Sequence, residues 1–237
     1  MGSGKTARPD ELRGFGWPVW GSLTVISGMV DAVSFTALSQ VFTSNMTGNL
    51  LMMGFAAGGA AQFSVVATLI SLVSFFVGAA FGGRLTAATP DPRRRLVLGL
   101  VVETVLHVAA ALAAFLVLSL ATPSGRYPLI VILGLAMGMR NTVIRRLKVP
   151  DIVTTVVTGT LTNVAADSVI GTGTRVRMGR REGQIVALVI GAAVGTVILL
   201  RFGLPVALTV IAGVSVLVTL GYVARSGGPE EGGGGPD

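Results

Sequence analysis

Two Thr-Gly pairs, Thr47-Gly48 and Thr158-Gly159, stand in stretches that mix apolar residues with hydroxyl and amide side chains. Such uncharged groups both donate and accept hydrogen bonds, which suits a small polar or anionic solute. If each pair begins a half-helix, its first backbone N–H groups lack partners within the helix and point at the solute. The residues predicted to bind this solute are Asp31, Thr43, Asn45, Thr47, Gly48, Asn49, Asn141, Thr154, Thr158, Gly159, Thr160 and Asn163.

Ionisable residues inside apolar stretches form a second set of candidates. A direct Asp31–Arg140 pair neutralises both charges, and we favour it over an Asp31 that couples transport to protons or cations. Glu103 and His107 are four residues apart, so they share one helix face as a proton relay or as a contact between helices. The set predicted to form ion pairs or to carry protons is Asp31, Arg140, Glu103, His107 and Asp167.

A purely structural role of the hydroxyl-rich stretches stays open, because Ser and Thr in membrane helices often bond to their own backbone or to neighbouring helices. Other chemistry is disfavoured. The chain has no cysteine and one histidine, so neither a metal site nor a cofactor is predicted. A Gly-x-Ser-x-Gly turn is missing, which argues against an intramembrane hydrolase, and we expect no enzyme activity. The net charge of +7 comes without a basic face rich in aromatics, so nucleic acid is not an expected partner.

The elements that position these residues are membrane helices. Only 12% of the residues are charged, about half the share of a typical soluble domain, and they cluster between long apolar runs. Runs that approach the ~20 residues of a transmembrane helix predict six spans. These spans are Pro18–Leu38, Val65–Gly83, Leu96–Leu120, Pro128–Ile144, Ile185–Leu200 and Leu204–Val223.

Two weaker segments, Thr47–Ala61 and Ile152–Ile170, are too short or too polar for a confident span. If both enter and leave on one side and the N-terminus is cytoplasmic, fifteen of the 18 Lys and Arg residues lie on the cytoplasmic side. We therefore predict an all-α polytopic membrane protein with about six transmembrane helices plus two re-entrant or broken helices. The predicted location is the bacterial cytoplasmic (inner) membrane, with both termini cytoplasmic.

The two halves of the chain repeat one another. Residues 28–33 match 138–143 at an offset of 110, and the Thr47-Gly48 block matches the Thr158-Gly159 block at 111. With three crossings in each half the repeat is inverted, a frequent framework of transporters that places the substrate between the halves. The predicted organisation is an N-terminal tail (1–16), a first repeat (17–123), a second repeat (124–225) and a disordered C-terminal tail (226–237).

These paired motifs resemble the YoaK family of small, uncharacterised bacterial membrane proteins. The resemblance rests on Asp31-Ala32, Asn45–Leu50, Gly138–Asn141, Val149–Asp151 and Thr158–Leu161, and it covers nearly all of the chain between the tails. It implies a bacterial inner-membrane protein but brings no activity, because the function of that family is not established.

Three functions compete. The favoured one is a transporter or channel for a small polar or anionic solute, whose site lies where Thr47-Gly48 and Thr158-Gly159 approach each other near the bilayer centre. The alternatives are a structural or accessory subunit that does not transport, and an intramembrane hydrolase. The expected partners are the lipid bilayer and the solute, and the sequence leaves a homo-oligomer open.

Overall fold

The structure is a computed structural model that describes residues 17–117, 123–147, 162 and 180–226. In this part of the chain the regular elements are all helical, which confirms the predicted all-α class. The helices are α1 (Trp17–Ala37), α2 (Met46–Ala57), α3 (Val65–Ala88), α4 (Pro92–Val117), α5 (Tyr127–Leu147), α6 (Arg180–Phe202) and α7 (Leu204–Ser226), with a 3₁₀ turn at Pro123–Arg126.

Six of the described helices are long and apolar enough to cross a membrane, and α2 is the exception. Each of the six coincides with a predicted span, so the polytopic membrane assignment is confirmed. The weak segment Ile152–Ile170 lies outside the described residues apart from Thr162. The predicted tails, residues 1–16 and 226–237, also lie outside them apart from Ser226.

Helix α2 is too short to span the bilayer. Its 12 residues reach about 18 Å at ~1.5 Å per residue, against a hydrocarbon core of ~30 Å. Ser39 and Gln40, with φ values of 65° and 57°, lie in the left-handed region and turn the chain back after α1. Helix α2 then packs against α3. The length of α2 agrees with a segment Thr47–Ala61 that does not span the membrane, and its entry and exit on one side stay a prediction.

Helices α3 and α5 form one close parallel pair. A Cβ added at Gly78 would collide with the backbone of Leu135, and one at Gly82 would lie 2.8 Å from the carbonyl oxygen of Met139. The residue numbers rise together along both helices, so the two run in the same direction. Glycine lets the two backbones meet without an intervening side chain.

Helices α1 and α6 form a second parallel pair of the same kind. The missing Cβ of Gly191 faces the backbone of Val25, and that of Gly195 would lie 2.8 Å from the Cα of Met29. Three crossings, α3, α4 and α5, separate α1 from α6 along the chain. A further single crossing would make the pair antiparallel, so Leu147 and Arg180, which flank the undescribed segment, lie on the same side of the membrane.

Helices α4 and α7 cross the bundle as an antiparallel pair. The Thr104 hydroxyl donates to the carbonyl oxygen of Ser215 (3.3 Å), and the Thr219 hydroxyl donates to that of Leu100 (3.4 Å). The two hydroxyl oxygens lie 2.8 Å apart, so one hydroxyl can donate to the other in place of its carbonyl oxygen. Four hydroxyl and carbonyl groups thus join these helices inside the apolar bundle.

The helix contacts repeat with constant offsets. Leu135 and Val25 are 110 positions apart, and the glycines that meet them, Gly78 and Gly191, are 113 apart. The fraction of buried residues is 61% in the spans of both α1 and α5, and 39% in those of both α4 and α7, which agrees with the same correspondence. A two-fold relation between the halves produces such an exchange of partners. The inverted repeat stays a prediction, because its second polar segment lies outside the described residues.

Candidate solute site

The N-terminus of α2 follows a segment that is hydrogen-bonded to α1 and α3. Asn45 caps the helix, and its side chain accepts a hydrogen bond from the Gly48 N–H at 3.4 Å. Thr47 and Gly48 therefore occupy the first turn, as predicted for a half-helix that begins with Thr-Gly. The N–H groups of Met46 and Thr47 have no acceptor among the described residues, which is the usual state of a helix start.

Asp31 holds the segment that leads into α2. Its Oδ1 accepts the N–H groups of Thr43 (3.1 Å) and Ser44 (2.8 Å), and its Oδ2 accepts the Ser44 hydroxyl (2.5 Å). Asp31 lies six residues before the end of α1, about 9 Å at ~1.5 Å per residue. The chain that precedes α2 consequently contacts α1 about 9 Å from its C-terminal end, toward the middle of the helix.

Asn49 and Ser71 fix the same segment from the other side. The Asn49 side chain accepts the Phe42 N–H (2.8 Å) and donates to the Phe42 carbonyl oxygen (2.7 Å) and to the Ser71 hydroxyl (3.0 Å). The Ser71 hydroxyl donates to the Phe42 carbonyl oxygen at 2.6 Å. The Asn49 amide thus pairs with the backbone like a neighbouring strand, and it positions the site.

The exposed polar groups at the start of α2 are few. Asn45 and Thr47 are exposed, whereas Thr43 is fully buried and its hydroxyl has no hydrogen-bond partner among the described residues. Gly48 packs on the Phe42 ring, where a Cβ would lie 2.7 Å from a ring carbon. Thr47, Asn45 and the free N–H groups are therefore the groups that a solute can reach, while Asp31 and Asn49 are engaged within the protein.

A separate cluster of buried ionisable residues joins α4 to α5. Arg140 forms an ion pair with Glu103 (2.9 Å), donates to the Leu23 carbonyl oxygen of α1 (3.1 Å) and donates to the Ser27 hydroxyl. His107 Nδ1 lies 2.7 Å from the Ser215 hydroxyl of α7. Glu103, His107 and Arg140 are all 1–2% exposed.

The predicted direct pair between Asp31 and Arg140 is wrong for this structure. Arg140 bonds to Glu103, and Asp31 bonds to Thr43 and Ser44, although Arg140 is near enough to act on Asp31 electrostatically. The reason is geometric, since Arg140 points from α5 toward α4 and the first half of α1. Glu103 and His107 each have a partner on a different helix, which agrees with the predicted contact between helices, while the predicted proton relay stays a prediction.

The remaining predicted site residues belong to the second half. Asn141 is half-buried on α5 next to Arg140. Thr154, Thr158, Gly159, Thr160, Asn163 and Asp167 lie outside the described residues. The approach of Thr47-Gly48 to Thr158-Gly159 therefore stays a prediction.

Sequence reasoning missed Ser71 and Ser215 as members of these sites. A signal for Ser71 exists, because Ser71, Ser74, Gly78 and Gly82 recur at helical spacing and mark one small, polar face of α3. No comparable pattern marks Ser215, a single hydroxyl in an apolar helix.

Comparison with known proteins shows the family to which this chain belongs. A family model described as "Protein of unknown function (DUF1275)" matches residues 19–221, which include α2 and the buried ionisable cluster. The chain belongs to the DUF1275 family. It is also 30% identical over 151 residues to the UPF0700 transmembrane protein YoaK of Bacillus subtilis (strain 168). The predicted resemblance to the YoaK family is thereby confirmed.

The match to YoaK covers 61% of this chain and 64% of that protein, so it spans slightly less than two thirds of the relative. No solved structure matches the chain. YoaK is described as a transmembrane protein, and neither its name nor that of the DUF1275 family gives an activity, so any function must be argued from the site.

Proposed function

We propose that this DUF1275 protein is a transporter or channel for a small polar or anionic solute, and that it has no enzyme activity. The observation that carries the proposal is the start of α2. A short helix follows a segment that Asp31 holds about 9 Å from the end of α1, and the N–H groups of Met46 and Thr47 have no acceptor among the described residues. Transport proteins use such interrupted helices to bind solutes within the membrane.

The way this helix start is held supports a role beyond packing. Asp31, Asn49 and Ser71 together hold the segment from Phe42 to Ser44 in place by hydrogen bonds from three different helices. A polar, irregular backbone inside a membrane is costly unless it is satisfied by the protein or lines a watery cavity. Here the backbone before α2 is satisfied, whereas Thr47 and its N–H group are left open.

Charge at the site favours a neutral solute over an anion. The Asp31 carboxylate already occupies the N–H groups of Thr43 and Ser44. A second negative charge at Met46 and Thr47 would be repelled by it, against an attraction from the helix terminus of about 0.3–1 kcal/mol. We expect neutral hydrogen-bonding solutes to pass faster than anions.

The membrane itself is also part of the proposal. Fifteen of the 18 Lys and Arg residues fall on one side in the six-crossing topology, and the relative YoaK is bacterial. We assign the chain to the bacterial cytoplasmic membrane with both termini inside. A homo-oligomer is compatible with the proposal and is not required by it.

A flux assay in proteoliposomes tests the proposal. Stopped-flow light scattering reports the entry of urea and glycerol as neutral probes, and of potassium formate with valinomycin as an anionic probe. We expect urea or glycerol flux above that of empty liposomes, and its loss in Asp31→Asn and Thr158→Val.

The matched control for the Thr substitution is Thr209→Val on α7, because Thr209 is exposed and its hydroxyl bonds only to Pro205 of its own helix. Flux that is equally low in this control would show a general loss of folding. An absence of flux for every probe in the unchanged protein would favour the accessory-subunit function instead.

A further inference from the structure

The Glu103–Arg140 ion pair leaves one carboxylate oxygen open. Glu103 Oε1 accepts from Arg140 Nη1 at 2.9 Å, whereas Oε2 has no hydrogen-bond partner among the described residues. Glu103 is 2% exposed, so its open oxygen is not paired with bulk water. A buried ionised oxygen without a partner is costly, and a proton on that oxygen removes the cost.

His107 presents a second open position one helical turn away. The Ser215 hydroxyl donates to the carbonyl oxygen of Ile211 at 2.9 Å, so its hydrogen is already used. His107 Nδ1, at 2.7 Å from that hydroxyl, must therefore be the donor. In this tautomer Nε2 is a bare basic nitrogen, and it has no hydrogen-bond partner among the described residues.

Among the described residues, the charges around Arg140 do not balance without an added proton. Asp31 on α1 and Glu103 on α4 are both within electrostatic reach of Arg140, and together they outnumber it by one negative charge. The other ionisable groups on these helices and on α7 lie at helix ends, except Tyr222, which is buried two turns beyond Ser215. One proton makes the cluster neutral, as a low-dielectric interior favours.

Within this cluster the proton belongs on Glu103. A proton on His107 would place a second positive charge beside Arg140. Asp31 accepts three hydrogen bonds, which stabilise its ionised form. Glu103 keeps its bond to Arg140 through Oε1 while Oε2 carries the proton, and His107 Nε2 is the nearest described base that can relay it.

The predicted repeat places uncharged residues at the matching positions of the other half. The offset of 110 pairs Arg140 with Val30. The contact between Thr104 and Thr219 relates α4 to α7 at an offset of 115, which pairs Glu103 with Val218 and His107 with Tyr222. Val30 and Tyr222 are buried. Under this predicted correspondence one half fills these positions without a charged side chain, which favours a role beyond packing for the charges of the other half.

We propose that Glu103 Oε2 binds one exchangeable proton, that His107 Nε2 relays it, and that this proton is the ion coupled to solute movement. Protonation takes one H⁺ from solution and neutralises the cluster, and release returns the cluster to one net negative charge. The coupling part rests on the proposed transport function, whereas the proton site does not.

The surroundings of Glu103 imply gated access. A gap of about 140 Å³ lies beside Glu103, Thr104 and Thr219, between α1, α4 and α7. It is too narrow to hold a water molecule. In this conformation the gap offers no water path to the proton, so exchange requires α4 and α7 to move apart. This is the behaviour expected of a coupling site in alternating access.

Infrared spectroscopy tests the proton site without any assay of transport. The purified full chain in lipid should show the carbonyl stretch of a buried carboxylic acid, which disappears as the pH is raised. Labelling the glutamates with carbon-13 should shift this band in the unsubstituted protein, because Glu103 is the one Glu within a predicted span. Glu103→Gln should abolish the band, and His107→Gln should retain it.

The matched control is Asp91→Asn, an exposed carboxylate just before α4 that accepts the backbone N–H groups of Arg93 and Arg94, one of which an Asn can still accept. It should leave the band unchanged. If Glu103→Gln fails to fold, Glu103→Asp keeps a carboxyl group at this position, and its acid band should no longer shift when the glutamates are labelled. Absence of a glutamic acid band in the unsubstituted protein, or its persistence in Glu103→Gln, would overturn the proton site.

A second arm tests the coupling. In pyranine-loaded proteoliposomes, a urea or glycerol gradient should drive proton movement in the unsubstituted protein, and Glu103→Gln should reduce that movement at least tenfold. An infrared band without any coupled proton movement overturns the coupling and leaves the proton site standing. Solute flux without the infrared band overturns the proton site and leaves the transport function standing.

Discussion

Replacing Asn49 with Leu should release the segment that leads into α2. Leucine has nearly the same size and shape as asparagine but neither donates nor accepts hydrogen bonds. In the structure the Asn49 amide accepts the Phe42 N–H and donates to the Phe42 carbonyl oxygen and to the Ser71 hydroxyl. The substitution removes all three bonds, although the Ser71 hydroxyl still satisfies the Phe42 carbonyl oxygen.

The expected magnitude follows from those bonds. Leaving the Phe42 N–H unpaired costs about 1–3 kcal/mol, and the two lost donated bonds are worth ~0.6 kcal/mol each in a membrane. These terms sum to about 2–4 kcal/mol. The lower half of that range, a local loss of about 2–3 kcal/mol, raises the open population of the segment by about 30- to 150-fold, at ~1.4 kcal/mol per tenfold.

Hydrogen–deuterium exchange measured by mass spectrometry reads this population directly. The amides of Phe42, Thr43 and Ser44 should exchange 30- to 150-fold faster in Asn49→Leu, because opening frees all three together. The control Asn45→Leu makes the same change at an exposed residue whose side chain accepts one bond of 3.4 Å, and it should change exchange less than threefold. Unaltered exchange at these amides in Asn49→Leu would refute the anchoring role.

Two further predictions concern helix packing. Gly78→Val should destabilise the protein by about 3 kcal/mol more than Gly83→Val, as measured by SDS unfolding followed by circular dichroism. A Cβ at Gly78 meets the backbone of Leu135, whereas one at Gly83 meets nothing within 4 Å. Equal losses of stability would contradict the close α3–α5 pair. A double-mutant cycle of Thr104→Val and Thr219→Val should give a coupling energy of about 0.6–1.7 kcal/mol in the same assay. Additive losses contradict their hydrogen bond.

Much of the architecture was predictable from the sequence, for a physical reason. A transmembrane helix must bury its own backbone polar groups in hydrocarbon, so its length and apolar composition are written continuously along the chain. The short length of α2 was predictable for the same reason, since its apolar run is too short to span the membrane. The placement of Thr47 and Gly48 in the first turn follows from the short polar stretch before that run.

Partner choice between helices was not predictable. Arg140 has two acids within reach, Asp31 and Glu103, and only the packing of α5 against α4 decides that Glu103 receives the ion pair. The two N–H groups that bond to Asp31 belong to the backbone of Thr43 and Ser44, and any residue type except proline would supply them, so the sequence does not reveal this contact. Asn49 likewise reads as a solute ligand in sequence, and its use as a backbone partner depends on the turn at Ser39 and Gln40.

The central claim is that the start of α2 opens to water inside the membrane, and the reactivity of a cysteine at Thr47 tests it most directly. The natural chain contains no cysteine, so Thr47→Cys carries a single thiol. It can be compared with Ala61→Cys in the loop after α2 and with Phe76→Cys, whose native side chain is 74% exposed on the outer face of α3. A charged methanethiosulfonate reagent should modify Thr47→Cys within tenfold of the rate at Ala61→Cys. A Thr47→Cys that is as unreactive as Phe76→Cys would place the helix start in lipid and contradict the account.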